Sequence, residues 1–156
     1  PMSLTVTTRK IYEAFYDDYG THKAFLHSHT YAGNPLGCAA ALGVLDVLEQ
    51  QQILPKARET ARWLTKEMEE RFGGHPHVGE IRHIGLIHAL ELVADKKTKQ
   101  PFPADQRVGY RLYKKALDRG LVLRPLGDVL YFNPPLNITR EELGQAMGIL
   151  EAILSD

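Results

Sequence analysis

The chain is poor in the features that declare a function outright. It has one cysteine, one tryptophan and no surplus of charge in 156 residues. Cys38 on its own excludes an internal disulfide and fits a reducing, cytosolic setting. Lys plus Arg number 19, as do Asp plus Glu, for a formal net charge of zero. No overall field therefore favours nucleic acid or an anionic membrane. No apolar run approaches the ~20 residues that cross a bilayer, and no signal-peptide pattern is present. The glycine patterns of dinucleotide and phosphate loops are missing, and no serine sits in a nucleophile-elbow context. Internal repeats and low-complexity tracts are absent too.

What remains is a globular composition, 44% hydrophobic and 24% charged. At this length a chain can bury roughly 70% of its unfolded surface, so a packed core is expected. Met2, Leu4 and Val6 alternate with Ser3, Thr5 and Thr7, which predicts an opening strand. Thr8 is placed to cap a helix through Ile11, Tyr12, Phe15 and Tyr16 that ends near Gly20. A helix over 35–51 should bury its apolar run from Cys38 to Leu42. A second follows, with Leu54, Ala57, Ala61, Leu64, Met68 and Phe72 at intervals of three or four. Gly73-Gly74 stops it, as residues that tolerate positive φ do.

Beyond residue 77 the pattern turns to short strands at 78–82 and 86–93, with a polar, solvated lysine loop over 95–103. A helix over 104–119 carries Val108, Leu112 and Ala116 inward and ends at Gly120. A hairpin of 121–124 and 129–133 follows, closed by Pro134-Pro135, which cannot donate to a ladder. Thr139-Arg140-Glu141-Glu142 is a capping box that opens a last helix with Leu143, Ala146, Met147, Leu150 and Leu154 inward. The expected fold class is α+β: a small, mainly antiparallel sheet with packed helices over 51–156, preceded by a strand-and-helix remnant of a larger domain over 1–50.

Candidate chemistry lies in two places. The stretch His27-Ser28-His29-Thr30-Tyr31-Ala32-Gly33-Asn34-Pro35-Leu36-Gly37 sets a hydroxyl-bearing loop before a helix start. Asn34 suits the cap and Pro35 the first helical position. A Thr30 hydroxyl held there suits an anion such as phosphate. Further on, a hairpin symmetric about Gly127-Asp128 sets Arg124 opposite Tyr131 on one sheet face. Two readings of Arg124 stand side by side. One is a structural salt bridge to a carboxylate of the domain, which the pattern alone favours; the other is bidentate recognition of a ligand carboxylate. His27 with His29, and His75 with His77, lack the further ligands a metal needs, so no metal site is expected. His88, within an apolar strand, reads as a satisfied core or interface histidine.

Thr30-Tyr31-Ala32-Gly33-Asn34-Pro35-Leu36-Gly37-Cys38-Ala39-Ala40 closely resembles the T-[FY]-x-G-N-P-L-[AG]-x-A-A signature of class III (fold type I) pyridoxal-phosphate aminotransferases. Ile81-Arg82-His83-Ile84-Gly85-Leu86, Gly120-Leu121-Val122-Leu123-Arg124-Pro125 and Leu130-Tyr131-Phe132-Asn133-Pro134-Pro135 extend the resemblance along essentially the whole chain. The resemblance implies the C-terminal small domain of that fold over 51–156. Over 1–50 it implies the end of the large cofactor domain with its dimer-interface loop. The implied cofactor is pyridoxal 5'-phosphate. Thr30 matches a threonine that bonds the cofactor phosphate of the partner subunit in a homodimer, with Ser28 and His29 in the adjoining loop. Arg124 matches an arginine that clamps the substrate carboxylate, which reverses the preference for a structural salt bridge, and Tyr131 a tyrosine beside it.

Within the class, residues 12–19 and 25–30 resemble most the biotin-pathway branch. Its substrates are 8-amino-7-oxononanoate, converted to 7,8-diaminononanoate, and an amino donor; neither nucleic acid nor membrane is implied. The family's Schiff-base lysine falls upstream of the position matching Pro1, and Lys10 and Lys23 stand in no matching motif. The chain is therefore expected to be a fragment without a catalytic residue of its own and inactive alone. Two alternatives remain at this point: a fragment of another class III ω-aminotransferase, and a non-catalytic binding or dimerisation module.

Overall fold

The computed structural model describes residues 2–155. Its contacts divide the chain into two compact units, Pro1–Gln50 and Gln51–Asp156.

The first unit holds α1 (Arg9–Glu13) and α2 (Pro35–Gln50), with a single 3₁₀ turn at Tyr19–Thr21. Residues 2–8 form no strand. Their alternation is that of a strand, but a strand needs a neighbour to take its backbone N–H and C=O groups, and the described residues of this unit include no strand. Helix α1 is also shorter than expected. It stops at Glu13, well before Gly20, and Thr8 stands at its start without a side-chain cap bond. Helix α2 begins as its sequence dictates. The Leu36 N–H donates to Asn34 Oδ1 at 3.0 Å, and Pro35 takes the position where a missing donor costs nothing. Its apolar run is not buried, however: α2 has no buried residue, and Leu42 and Leu45 are 63% and 60% exposed. Only Asp46, Glu49 and Gln50 are polar in this helix. A helix apolar all round is suited to being enclosed on every side, which this unit alone does not do.

The second unit is an α+β layer. Strands β1 (Val78–Ile84), β2 (Ile87–Leu92), β3 (Arg124–Leu126) and β4 (Val129–Phe132) form one antiparallel sheet in the order β1-β2-β4-β3. Helices α3 (Ile53–Phe72), α4 (Val108–Asp118) and α5 (Arg140–Ser155) supply the rest of the core. Helix α3 buries Ala57, Ala61, Leu64, Met68 and Phe72, the stripe its spacing predicts, while Leu54 at its start stays 45% exposed. On α5, Leu143, Met147, Leu150 and Ile153 are buried. The sheet adds Val78, Leu90, Leu92, Leu130 and Phe132. Each such fully buried side chain stabilises by about 1.5–3 kcal/mol relative to exposure.

Local chemistry sets the boundaries. The capping box at α5 is reciprocal. Thr139 donates from its N–H and its hydroxyl to Glu142 Oε2 at 2.8 and 2.7 Å, and the Glu142 N–H returns to Thr139 Oγ1 at 3.2 Å. These bonds hold the Glu142 carboxyl below its ordinary range. Gly85 opens the turn between β1 and β2 at φ +55°, a conformation glycine adopts freely. Gly73 follows α3 without the positive φ expected of it: its φ is −59°, and glycine fits there because a Cβ would fall 2.4 Å from the Glu69 carbonyl oxygen. Helix α4 starts four residues later than the apolar pattern suggests, after a 3₁₀ turn at Ala104–Gln106, with Arg107 at φ +45° between them. The 95–103 loop is not wholly solvated either. Lys96 Nζ donates to the Gly73 carbonyl at the end of α3, where a cation is favoured. The hairpin strands are shorter than expected, since residues 121–123 lie outside β3.

Candidate functional site

In the first unit, two successive turns lead into α2. The Ala32 N–H donates to the His29 carbonyl at 2.9 Å and the Asn34 N–H to the Tyr31 carbonyl at 3.1 Å. The second turn places its third residue, Gly33, at φ +73°, as a type II turn requires. Ahead of them the rings of Phe15, Phe25, His27 and His29 touch in sequence, with centroids 5.5, 5.4 and 5.1 Å apart. His27 and His29 are therefore ring-packed, and the described residues contain no group of three or more metal-ligating side chains. His29, Tyr31, Gly33 and Asn34 line a cleft of about 300 Å³. Ser28 and Thr30 do not line that cleft; both are exposed. In sequence, the loop carries the Ser28 and Thr30 hydroxyls and the His29 imidazole a few residues ahead of the start of α2, groups of the kind that donate to a phosphate.

In the second unit, the β3–β4 hairpin turns at Gly127-Asp128, and Arg124 pairs directly with Tyr131, the register its symmetry predicts. The same cross-strand row continues through Ala89 to Arg82. This row lies on the sheet face opposite the one that carries the buried Leu90, Leu130 and Phe132. Its two arginines differ. Arg82 pairs with the Glu91 carboxylate and stands 3.6 Å from that of Glu80, and these partners raise its pKa. Arg124 is exposed and makes no ion pair among the described residues. Tyr131 beside it is half-buried. Among the described residues, no carboxylate stands within ion-pair distance of Arg124.

The remaining candidates are structural. His88 is fully buried, with Nε2 3.0 Å from the Thr65 hydroxyl and Nδ1 3.3 Å from the Leu86 carbonyl. A carbonyl can only accept, so Nδ1 carries the proton and Nε2 accepts from Thr65. Burial, and then the stacked His83, push the imidazole below its ordinary value. Burial likewise lowers His75, helped by His77 and Lys96. The Arg82–Glu91 pair, the Thr65–His88 bond and a carboxylate at the start of α4 escape a reading by spacing alone. Only the last left a signal, an arginine where a capping residue belongs.

The family profile "Aminotransferase class-III" matches residues 1–154. The adenosylmethionine-8-amino-7-oxononanoate aminotransferase of Anoxybacillus flavithermus is 41% identical over 155 residues, covering 99% of this chain and 34% of that protein. The crystal structure of the enzyme of that name from Methanocaldococcus jannaschii superposes with a TM-score of 0.86 at 36% identity, over 96% of this chain and 34% of that one. An amine transaminase from an uncultivated Pseudomonas species, in its pyridoxal-phosphate-bound form, superposes at 0.84 and 34% identity, over 94% and 33%. The chain thus spans about a third of the length of the relatives it matches. Class-III aminotransferases depend on pyridoxal phosphate, and the small antiparallel sheet with its packed helices is part of their fold. With the match running through both units, the chain belongs to the class-III aminotransferase family.

Proposed function

We propose that these residues are the small domain and the end of the large domain of a cytoplasmic, homodimeric, pyridoxal-phosphate aminotransferase. In this reading the enzyme converts 8-amino-7-oxononanoate to 7,8-diaminononanoate in biotin synthesis. The observation that carries it is Arg124: a guanidinium with no carboxylate partner among the described residues, directly opposite a half-buried tyrosine on an open sheet face. Such a group suits a bidentate grip on a substrate carboxylate, with Tyr131 packed beside it. Thr30, with Ser28 and His29 in its loop, donates to the cofactor phosphate of the partner subunit. Pyridoxal phosphate, when bound, supplies the electron sink for amino-group transfer. The exposed apolar surface of α2 supports enclosure of the first unit by the rest of such an enzyme.

The test uses the full-length holoenzyme carrying these residues. Arg124→Ala should raise KM for the carboxylate substrate by about 10- to 100-fold, the worth of a charge-assisted bond, and leave KM for its methyl ester unchanged. Equal effects on acid and ester would overturn the clamp. The isolated 156-residue chain, supplied with pyridoxal phosphate and an amino donor, should show no turnover; robust turnover would overturn its reading as a part. A second reading, transfer from another ω-amino substrate, is favoured by the amine transaminase that superposes almost as well. A substrate panel on the holoenzyme separates the two.

A further inference from the structure

We propose that Asp128, in the turn of the β3–β4 hairpin, is the positioning residue for Arg124; the inference rests on Arg124 being the carboxylate clamp. Helix α4 begins without a local cap. Arg107 stands at its N-terminal boundary at φ +45°, ψ +48°, and makes no side-chain cap bond. The first-turn N–H groups of a helix need acceptors from elsewhere. Here Asp128 Oδ1 accepts from the Gly109 N–H at 2.8 Å, a cap delivered from 19 residues downstream. A carboxylate at that end also meets the positive pole of the helix dipole.

The same residue grips the sheet, because its backbone carbonyl accepts the Leu92 N–H at 2.9 Å. Asp128 thus ties the turn to α4 with its side chain and to β2 with its main chain. Gly109 records how closely they meet: a Cβ there would fall 2.1 Å from the Gly127 carbonyl oxygen and 3.1 Å from the Asp128 Cα. Arg107 holds a strained conformation of the kind that persists only where its surroundings enforce it, with its guanidinium 4.4 Å above the Tyr110 ring.

This anchorage matters because of where Arg124 sits. Strand β3 is three residues long, lies at the sheet edge and pairs only with β4. A short edge strand has little register of its own. The turn is the hairpin's fixed point, and Arg124 begins the strand that runs into it. Without the Asp128 cap the edge is free to shift, and a bidentate grip tolerates little error in position.

The experiment measures kcat and KM on the full-length holoenzyme with the carboxylate substrate and with its methyl ester. Asp128→Ala should raise KM for the acid about tenfold and leave kcat and KM for the ester unchanged. Asp128→Asn keeps an acceptor oxygen and should restore the KM for the acid. In an Arg124→Ala background, Asp128→Ala should add nothing, since it acts through Arg124. Asp128→Glu, which displaces the acceptor by one methylene, should give the same selective rise and serves if the alanine variant folds poorly. If Arg124→Ala itself fails to distinguish acid from ester, the clamp reading falls. If Arg124→Ala distinguishes them but Asp128→Ala changes neither KM, changes both alike, or still raises KM for the acid in the Arg124→Ala background, the positioning role falls and the clamp stands.

Discussion

Helices α2 and α5 are each 16 residues long, yet α5 buries Leu143, Met147, Leu150 and Ile153 and α2 buries nothing. Among the described residues, every buried side chain lies in Gln51–Asp156. The contrast is not one of apolar content, since α2 is the more apolar of the two. Helix α5 confines its apolar residues to a stripe and completes their burial against α3 and α4. Helix α2 is apolar on all sides, a pattern that a strand-poor unit of 50 residues cannot enclose. Stability should therefore reside almost wholly in the second unit, while the first contributes a loop of local turns and caps.

The sharpest way to break this comparison is to truncate one leucine in each unit. Leu64 is 1% exposed on α3 and Leu45 is 60% exposed on α2. Leu64→Ala should cost about 2–5 kcal/mol, as removing a buried leucine does where the cavity cannot collapse. Leu45→Ala should stay within about 0.5 kcal/mol. Denaturant unfolding of the 156-residue chain reads both as shifts in midpoint at constant slope. A Leu45 variant as costly as the Leu64 variant would mean that α2 is packed, and the contrast would fail.

A smaller effect sharpens it. His88 is buried and its pKa lies below the ordinary value of 6.5. The unfolded chain then takes up a proton as pH falls through about 6.5 before the folded unit does. By linkage, stability is full above that value and is lost progressively as pH falls below it. The unfolding midpoint should drop between pH 7.5 and 5.5 in the parent chain. Much of that slope should vanish in His88→Met, where the Thr65 hydroxyl can turn to the Ala61 carbonyl 3.0 Å away as its acceptor. An unchanged slope would place the pH sensitivity elsewhere.

What could be read in advance follows the range of the forces involved. The α3 stripe, the α5 capping box, the Asn34 cap and the Arg124–Tyr131 register depend on residues within a turn or a hairpin, and each was legible. The opening alternation forms no strand because alternation states a preference that only a partner strand can satisfy. The start of α4 escapes a local reading because its cap comes from Asp128, and the place of Lys96 because its acceptor is the far Gly73 carbonyl. Of the candidate site, the turn and cap geometry around Asn34 was present in residue types and spacing. The roles given to Thr30 and Arg124 came from family resemblance instead, because a ligand leaves no periodicity in the chain that binds it.

The finest test compares two caps that share their chemistry and differ in setting. Thr139 caps α5, which the core holds, and Asn34 caps α2, which nothing in its unit encloses. Thr139→Ala removes an acceptor for the Glu142 N–H from a helix that folds with the core. It should lower the stability of the second unit by about 1 kcal/mol. Asn34→Ala removes an equivalent acceptor from the Leu36 N–H, but α2 has no buried residue, so the global midpoint should not move. Its effect should appear only in hydrogen exchange, as faster exchange of the first amides of α2. A shift of the global midpoint by Asn34→Ala would show that α2 folds together with the second unit, and the cap would then measure the coupling between them.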